Sequence, residues 1–221
     1  MNILICLDYF CAHTLNKMTP ERTNKILHVL NRRQPDLAIV MENVSDPHNV
    51  FAVMRTCEAM GVQNIYVLNT VMSRHKHFGK KSSSSALGWL TVHEYDNTDT
   101  CMKVVKERYG KIYATHLGVE SCSLYDLDLT QSMALVFGNE KEGVTEACLN
   151  YCDGNFIIPM VGMIQSLNIS VACAVTLYEA FRQRSVAGFY NGELRLGTEE
   201  ATALSKKWKL FSETLPAGEI I

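Results

Sequence analysis

The chain has 221 residues, 47% of them hydrophobic, enough to bury the core of one good-sized α/β domain. Its formal net charge of −2 excludes a global basic field, so any nucleic-acid contact has to come from local patches. Eight cysteines occur without a CxxC pair or a Cys/His grouping at zinc spacing, and no apolar run is long enough to cross a membrane; the expectation is a cytoplasmic protein with reduced thiols and no metal.

Residues 1–18 read as an N-terminal extension. The stretch from Asn2 to Cys11 is apolar but has no basic leader, contains Asp8 and lacks a small-residue cleavage site, so it does not read as a signal peptide. Met18 is an alternative start. Thr19-Pro20-Glu21 is a helix start, with a hydroxyl cap, proline in the first turn and an early acid. Ile26, Leu27 and Leu30 form that helix's apolar face, and Arg32 and Arg33 close it, suited to the helix dipole or to RNA phosphates.

Residues 37–41 predict a strand, followed by a loop over 43–48 in which Pro47 opens the next helix. Val50, Val53, Met54 and Cys57 give that helix a buried face, and Gly61 ends it. Residues 64–68 are the next strand. Residues 73–85 hold the most basic loop, with Lys80 and Lys81 as phosphate candidates beside a serine run. Further strands are expected at 90–93, 112–115 and 133–137. A helix is expected over 99–109, stopped by Gly110, and a short one over 144–150.

The stretch FIIPMVGMIQSLNISVACAVTLYEAFRQR, residues 156–184, organises the rest. It begins as an apolar strand over 156–160, breaks at Gly162 and passes through the polar knuckle Gln165-Ser166-Leu167-Asn168. It then becomes a helix from Ile169 to Arg184, in which Val171, Val175 and Tyr178 recur at helical spacing as a face to be buried. A strand, a short loop and a helix start present backbone N–H groups to a ligand. The alternation of strand and helix predicts an α/β fold, a mainly parallel six-stranded sheet with helices on both faces. Residues 19–190 form that domain, and 191–221 a polar C-terminal tail.

Three separated stretches stand in order: Glu42-Asn43-Val44-Ser45-Asp46-Pro47-His48-Asn49 with Arg55 downstream; Phe137-Gly138-Asn139-Glu140-Lys141-Glu142-Gly143; and Ile157-Ile158-Pro159-Met160 followed by Gln165-Ser166-Leu167-Asn168. With the lead-in Arg33-Gln34-Pro35-Asp36-Leu37, the chain resembles the SpoU class of SPOUT methyltransferases, closest to the TrmH-type tRNA guanosine 2′-O-methyltransferases. The resemblance covers roughly residues 19–190. It implies a C-terminal trefoil knot serving as the cofactor pocket, an exception to the rule against knots. It also implies a homodimer, S-adenosyl-L-methionine as methyl donor, and tRNA as substrate, with the D-loop guanosine as target.

The resemblance also implies roles for particular residues. Arg55 is the central catalytic candidate. Guanidinium groups stay protonated in proteins, which makes a base awkward and favours charge stabilisation at the attacking oxygen. Asn49 orders the loop and positions Arg55, or caps the helix. Glu140 orients Arg55, fixes its loop, or is a solvated turn acid. Ser166 and Asn168 supply a hydroxyl and an amide at the knuckle. Thr115, Gly138, Ile158, Met160 and Leu167 are expected at the cofactor's adenosine. Arg32, Arg33, His48, Lys80, Lys81, Arg182 and Arg184 form a basic path for RNA, although Arg182 and Arg184 also suit a helix C-terminus.

Three rival readings remain. One is a 2′-O-methyltransferase for another tRNA or rRNA nucleotide; relatives on rRNA often carry a separate N-terminal RNA-binding domain, whereas about forty residues precede the first stretch here. Another is an inactive RNA-binding protein of the same fold, against which Asn49, Arg55, Glu140, Ser166 and Asn168 all argue. A dinucleotide-binding oxidoreductase is disfavoured, since no GxGxxG follows the first strand.

Overall fold

The computed structural model describes residues 18–71, 86–118 and 121–210. Two compact units form: Gln34–Asn191, and Met1–Arg33 with Gly192–Ile221. The extension over 1–17 and the basic loop with Lys80 and Lys81 lie outside the described residues.

The larger unit is an α/β layer structure. Its elements are β1 (Gln34–Glu42), α2 (Pro47–Ala59), β2 (Val62–Leu68), β3 (Thr91–Tyr95), α3 (Thr98–Arg108), β4 (Lys111–Thr115), β5 (Cys122–Ser123), β6 (Met133–Phe137), α4 (Glu146–Leu149), β7 (Gly154–Ile157) and α5 (Ile169–Val186). The smaller unit holds α1 (Pro20–Leu30) and α6 (Thr198–Lys207), which pack on each other. Among the described residues, then, the stretch after Asn191 contains a helix whose Ala201 and Leu204 are buried.

The strands order as β3-β2-β1-β6-β4-β7-β5, and every pairing is parallel. The sheet has seven strands where six were expected. The additional one is β5, two residues at the edge that pair with Phe156 and Ile157. β1 explains the covered faces. Leu37, Ile39 and Met41 point into a core with Val53, Met54, Cys173 and Leu177 from α2 and α5. Ala38 and Val40 point into a second core with Met102 and Val105 from α3. A strand buried on both faces reads as a continuous apolar run, as this one does. Each fully buried large apolar side chain contributes about 1.5–3 kcal/mol.

Local chemistry sets the helix limits. Thr19 caps α1 by accepting from the Arg22 N–H, with Pro20 in the first turn. Asp46 caps α2, its carboxylate accepting from the His48 N–H at 2.8 Å, and Pro47 follows. The cap is therefore Asp46, which frees Asn49 for another role. Beyond α2 the chain turns through Gly61 at φ +80°, a left-handed conformation suited to glycine.

In α5 the expected buried face differs from the observed one. Cys173, Thr176, Leu177 and Ala180 face the core, whereas Val171 and Tyr178 are 46% and 59% exposed. Apolar residues run round this helix, so spacing alone selects no single face. The end of α5 is fixed by Arg184, which is fully buried. Its guanidinium donates to Leu129 O (2.8 Å), Gln131 O (3.0 Å), Gln34 Oε1 (3.0 Å) and Asp36 Oδ1 (2.7 Å), and lies over the Phe189 ring. This corrects the expectation of an RNA-phosphate contact from Arg184: its charge is committed inside the protein. Arg33 is corrected likewise, for its side chain is buried with the guanidinium 5.3 Å from the Trp208 ring centroid.

Candidate active site

In open parallel sheets, ligands bind beyond the carboxyl ends of the strands where the strand order reverses. Here a cavity of about 710 Å³ lies beyond the ends of β4, β6 and β7. Its walls include Thr115, Phe137, Gly138, Ile158, Met160 and Leu167. All five residues expected at the cofactor's adenosine thus line one cavity. Ser166 and Glu140 line it too.

The walls are built from the motif stretches. Thr115 at the end of β4 donates its hydroxyl to Val136 O at 3.2 Å, which ties two neighbouring strands together at the cavity. After β6 the chain enters a tight loop closed by a backbone pair: Asn139 N–H to Gly143 O (3.0 Å) and Gly143 N–H to Asn139 O (2.8 Å). Gly143 has φ +72°, and a Cβ on Gly138 would lie 2.2 Å from the Gly143 carbonyl. Both positions therefore require glycine, one for conformation and the other for clearance.

Asn49 lies in the first turn of α2, and its amide bridges two motifs. Its Nδ2 donates to Glu140 Oε1 at 2.7 Å, and its Oδ1 accepts from Asn168 Nδ2 at 3.1 Å. Asn168 also caps α5, its Oδ1 accepting from the Ser170 N–H at 2.9 Å. Three polar residues distant in sequence are thus locked at the cavity rim. Arg55 stands six residues beyond Asn49 on α2, about 9 Å further along the helix axis. It is exposed, does not line the cavity, and has no side-chain partner among the described residues. His48 is exposed on the first turn of α2.

Sequence reasoning missed Asn43, Asn139 and Glu42 as site builders. Asn43 adopts φ +52°, rare for a residue other than glycine. Its Oδ1 accepts from the Thr70 N–H at 2.8 Å, and its carbonyl accepts from Asn139 Nδ2 at 2.8 Å. All three lie in the ordered motif stretches, and the enrichment of Asn at positive φ is a further signal at Asn43. Glu42 is fully buried, and burial pushes its carboxyl pKa up against the opposing hydrogen bonds from Thr145. Burial, together with the Glu42 charge, also pushes the nearby Cys101 thiol up to about 12 and Cys148 further still. These thiols stay neutral and are not nucleophiles.

The other expected RNA contacts are scattered. Arg32 is half-buried and donates to His28 Nδ1 and O at 3.0 and 3.2 Å. Arg182 is exposed and paired with the buried Glu179 at 2.7 Å. That guanidinium is the main influence holding the Glu179 carboxyl below its ordinary range. Among the described residues no cluster of three or more His, Cys, Asp or Glu could hold a metal, and no helix is long and apolar enough to cross a membrane.

Comparison with known proteins shows what the chain is similar to. Residues 36–178 match the SpoU rRNA Methylase family. Over 177 residues the chain is 40% identical to the tRNA (guanosine(18)-2′-O)-methyltransferase of Thermus thermophilus, spanning 80% of this chain and 90% of that protein. It is 39% identical over 173 residues to the Escherichia coli protein of the same name, spanning 78% and 75%. Among solved structures, the A. aeolicus TrmH/SpoU tRNA modifying enzyme superposes with a TM-score of 0.77 at 36% identity, over 86% of this chain and 95% of that one. The SpoU methyltransferase AviRb from Streptomyces viridochromogenes, in complex with AdoMet, superposes with a TM-score of 0.62 at 28% identity, over 70% and 62%.

Proposed function

The chain belongs to the SpoU rRNA methylase family, and we propose that it is the tRNA guanosine 2′-O-methyltransferase of that family, acting at the D-loop guanosine with S-adenosyl-L-methionine as donor. The single observation that carries this reading is the rim formed by Asn49, Glu140 and Asn168, which joins all three motif stretches beside one cavity. The cavity fits the donor. It has an apolar side for adenine in Phe137, Ile158 and Leu167, a glycine that permits close backbone approach, and one carboxylate, Glu140, at its polar edge.

When bound, S-adenosyl-L-methionine supplies a methyl group on a sulfonium, which is a good leaving group. The protein's part is then placement and charge. Glu140 and Asn168 hold Asn49, and so fix the first turn of α2 against the cavity. The rigid helix then carries Arg55 to where its fixed cation meets the reacting nucleotide, stabilising negative charge on the attacking ribose oxygen as the hydroxyl proton leaves to solvent. Ser166 offers its hydroxyl to the ribose or phosphate from the cavity wall. A 2′-hydroxyl acceptor selects RNA over DNA.

We place residues 158–168 in a trefoil knot, and two copies of the chain in a homodimer. The apolar surface supports the dimer. Val161 and Met163 are essentially fully exposed, and Val171, Tyr178 and Phe181 line the outer face of α5. Clustered exposed apolar surface marks protein interaction sites. Exposed basic residues offer contacts to tRNA on each unit taken by itself: His48 and Arg182 in the sheet unit, and Lys206, Lys207 and Lys209 at the end of α6 in the helical unit. The expected setting is the cytoplasm.

The test is Arg55→Ala. Methyl transfer to unmodified tRNA should be abolished while S-adenosyl-L-methionine binding stays intact. Undiminished turnover in this variant would remove Arg55 from the mechanism.

A further inference from the structure

We infer that Glu42, a carboxylate buried behind the cavity, is the positioning residue that sets where the Gly138–Thr145 loop stands, and so sets affinity for the methyl donor. The inference rests on the donor occupying the cavity beyond β4, β6 and β7.

The loop that carries Gly138 and Glu140 is rigid within itself. The Asn139–Gly143 backbone pair closes it, and Asn139 Oδ1 accepts from the Lys141 N–H at 2.8 Å. A unit of this kind moves as a body about its two ends. Both ends are held by consecutive residues at the carboxyl end of β1. The near end is held by Asn43, whose carbonyl accepts from Asn139 Nδ2 at 2.8 Å. The far end is held by Glu42, whose two oxygens accept separately from Thr145, Oε2 from the N–H at 2.9 Å and Oε1 from Oγ1 at 2.5 Å. Thr145 also caps α4, its Oγ1 accepting from the Cys148 N–H at 3.3 Å.

A fully buried carboxylate is a costly way to hold one threonine, since desolvation disfavours its charge. Its return is geometric. Two acceptors in one plane fix both the distance and the angle at which the loop leaves β1. The tolerance on that position is small, because the space at Gly138 is already too tight for one methyl group. A loop swung by tenths of an ångström moves the cavity wall and the Glu140 oxygen that accepts from Asn49. Glu42 has no contact with the cavity, so it acts through Thr145.

The experiment is calorimetric titration of the full-length protein with S-adenosyl-L-methionine, paired with tRNA affinity, well below each variant's melting midpoint. Glu42→Gln can accept from the Thr145 N–H and donate to its Oγ1, and Thr145→Ser keeps both donors. Both should bind the donor within about threefold of wild type. Glu42→Ala and Thr145→Val each remove a hydrogen bond to a charged group or the group itself. They should weaken donor binding about tenfold or more, with tRNA affinity unchanged and the double variant no worse than Glu42→Ala alone. Donor affinity at the wild-type level in Thr145→Val or Glu42→Ala would overturn the inference. So would parallel losses of donor and tRNA affinity, which mark general loosening. If Glu42→Ala does not fold, the Thr145 pair decides the matter. A wild-type chain that binds no donor sinks the cofactor reading, and this role with it.

Discussion

Adding one methyl group at Gly138 probes the cavity wall at its tightest place. A Cβ there would sit 2.2 Å from the Gly143 carbonyl carbon and oxygen and 2.3 Å from the Val144 nitrogen. Ordinary contact begins at 3.4 Å, so the shortfall is about 1.2 Å, and the three nearest obstructing atoms are all backbone. No side chain can rotate away, and the loop itself has to move by about an ångström. Overpacking of this kind costs about 1–3 kcal/mol of stability. A displacement of about 1 Å at a reacting centre costs on the order of a hundredfold in rate. Gly138→Ala should therefore bind S-adenosyl-L-methionine at least tenfold more weakly and turn over about a hundredfold more slowly. Gly88→Ala is the matched control, because Gly88 is exposed away from the cavity and a Cβ there meets nothing within 4 Å, and it should match wild type. The assay is donor titration and labelled-methyl transfer on both variants side by side. If Gly138→Ala keeps wild-type affinity and rate, the loop is not the cavity wall described here.

Other expectations are as direct. Arg184→Met strips a fully buried cation from Asp36 and from two backbone carbonyls; urea denaturation should show a loss of about 3–5 kcal/mol, with unchanged tRNA affinity in the folded protein. Burial raises the Glu42 pKa above its ordinary 4.5, so the fold favours its neutral form; that contribution is complete below 4.5 and is lost as pH rises through the folded-state value. Urea midpoints from about pH 4 to 8 should thus turn progressively in favour of Glu42→Gln over wild type. Asp153 behaves oppositely: burial pushes its carboxyl up, but Lys106 and the Ile112 N–H outweigh this and hold it below 3.8, so its contribution is lost as pH falls through the folded-state value. Affinity for tRNA should fall steeply with salt, and replacing Lys206 or Lys207 with alanine should lower the log–log slope by about 1 for each phosphate the lysine neutralises.

How far the sequence could be read depended on whether the physics was local. The buried face of α2 was legible residue by residue, since Val50, Val53, Met54 and Cys57 sit at helical spacing and all are buried. The strand at 133–137 was found with its bounds intact, because buried parallel strands are unbroken apolar runs. Cys122–Ser123 escaped notice because a two-residue strand carries no periodicity. Arg33 and Arg184 were misread because charge at a helix end ordinarily means solvent. What buries Arg184 is a set of carbonyls from Leu129 and Gln131, more than fifty residues away in sequence. The residues expected at the cofactor came from the family resemblance, and they line one cavity. The supports Glu42, Asn43 and Asn139 stand in the same ordered stretches, but what they hold does not show there. Positive φ at Asn43 and the grip of Glu42 on Thr145 are tertiary facts that one sequence does not display.

The central claim is that this cavity presents a methyl donor to a tRNA ribose oxygen. The direct measurement is transfer of labelled methyl from S-adenosyl-L-methionine to unmodified tRNA, followed by mapping of the labelled nucleotide. The account predicts a single 2′-O-methylated guanosine in the D-loop. Label on a base, or its absence from tRNA under conditions where the donor binds, would contradict it.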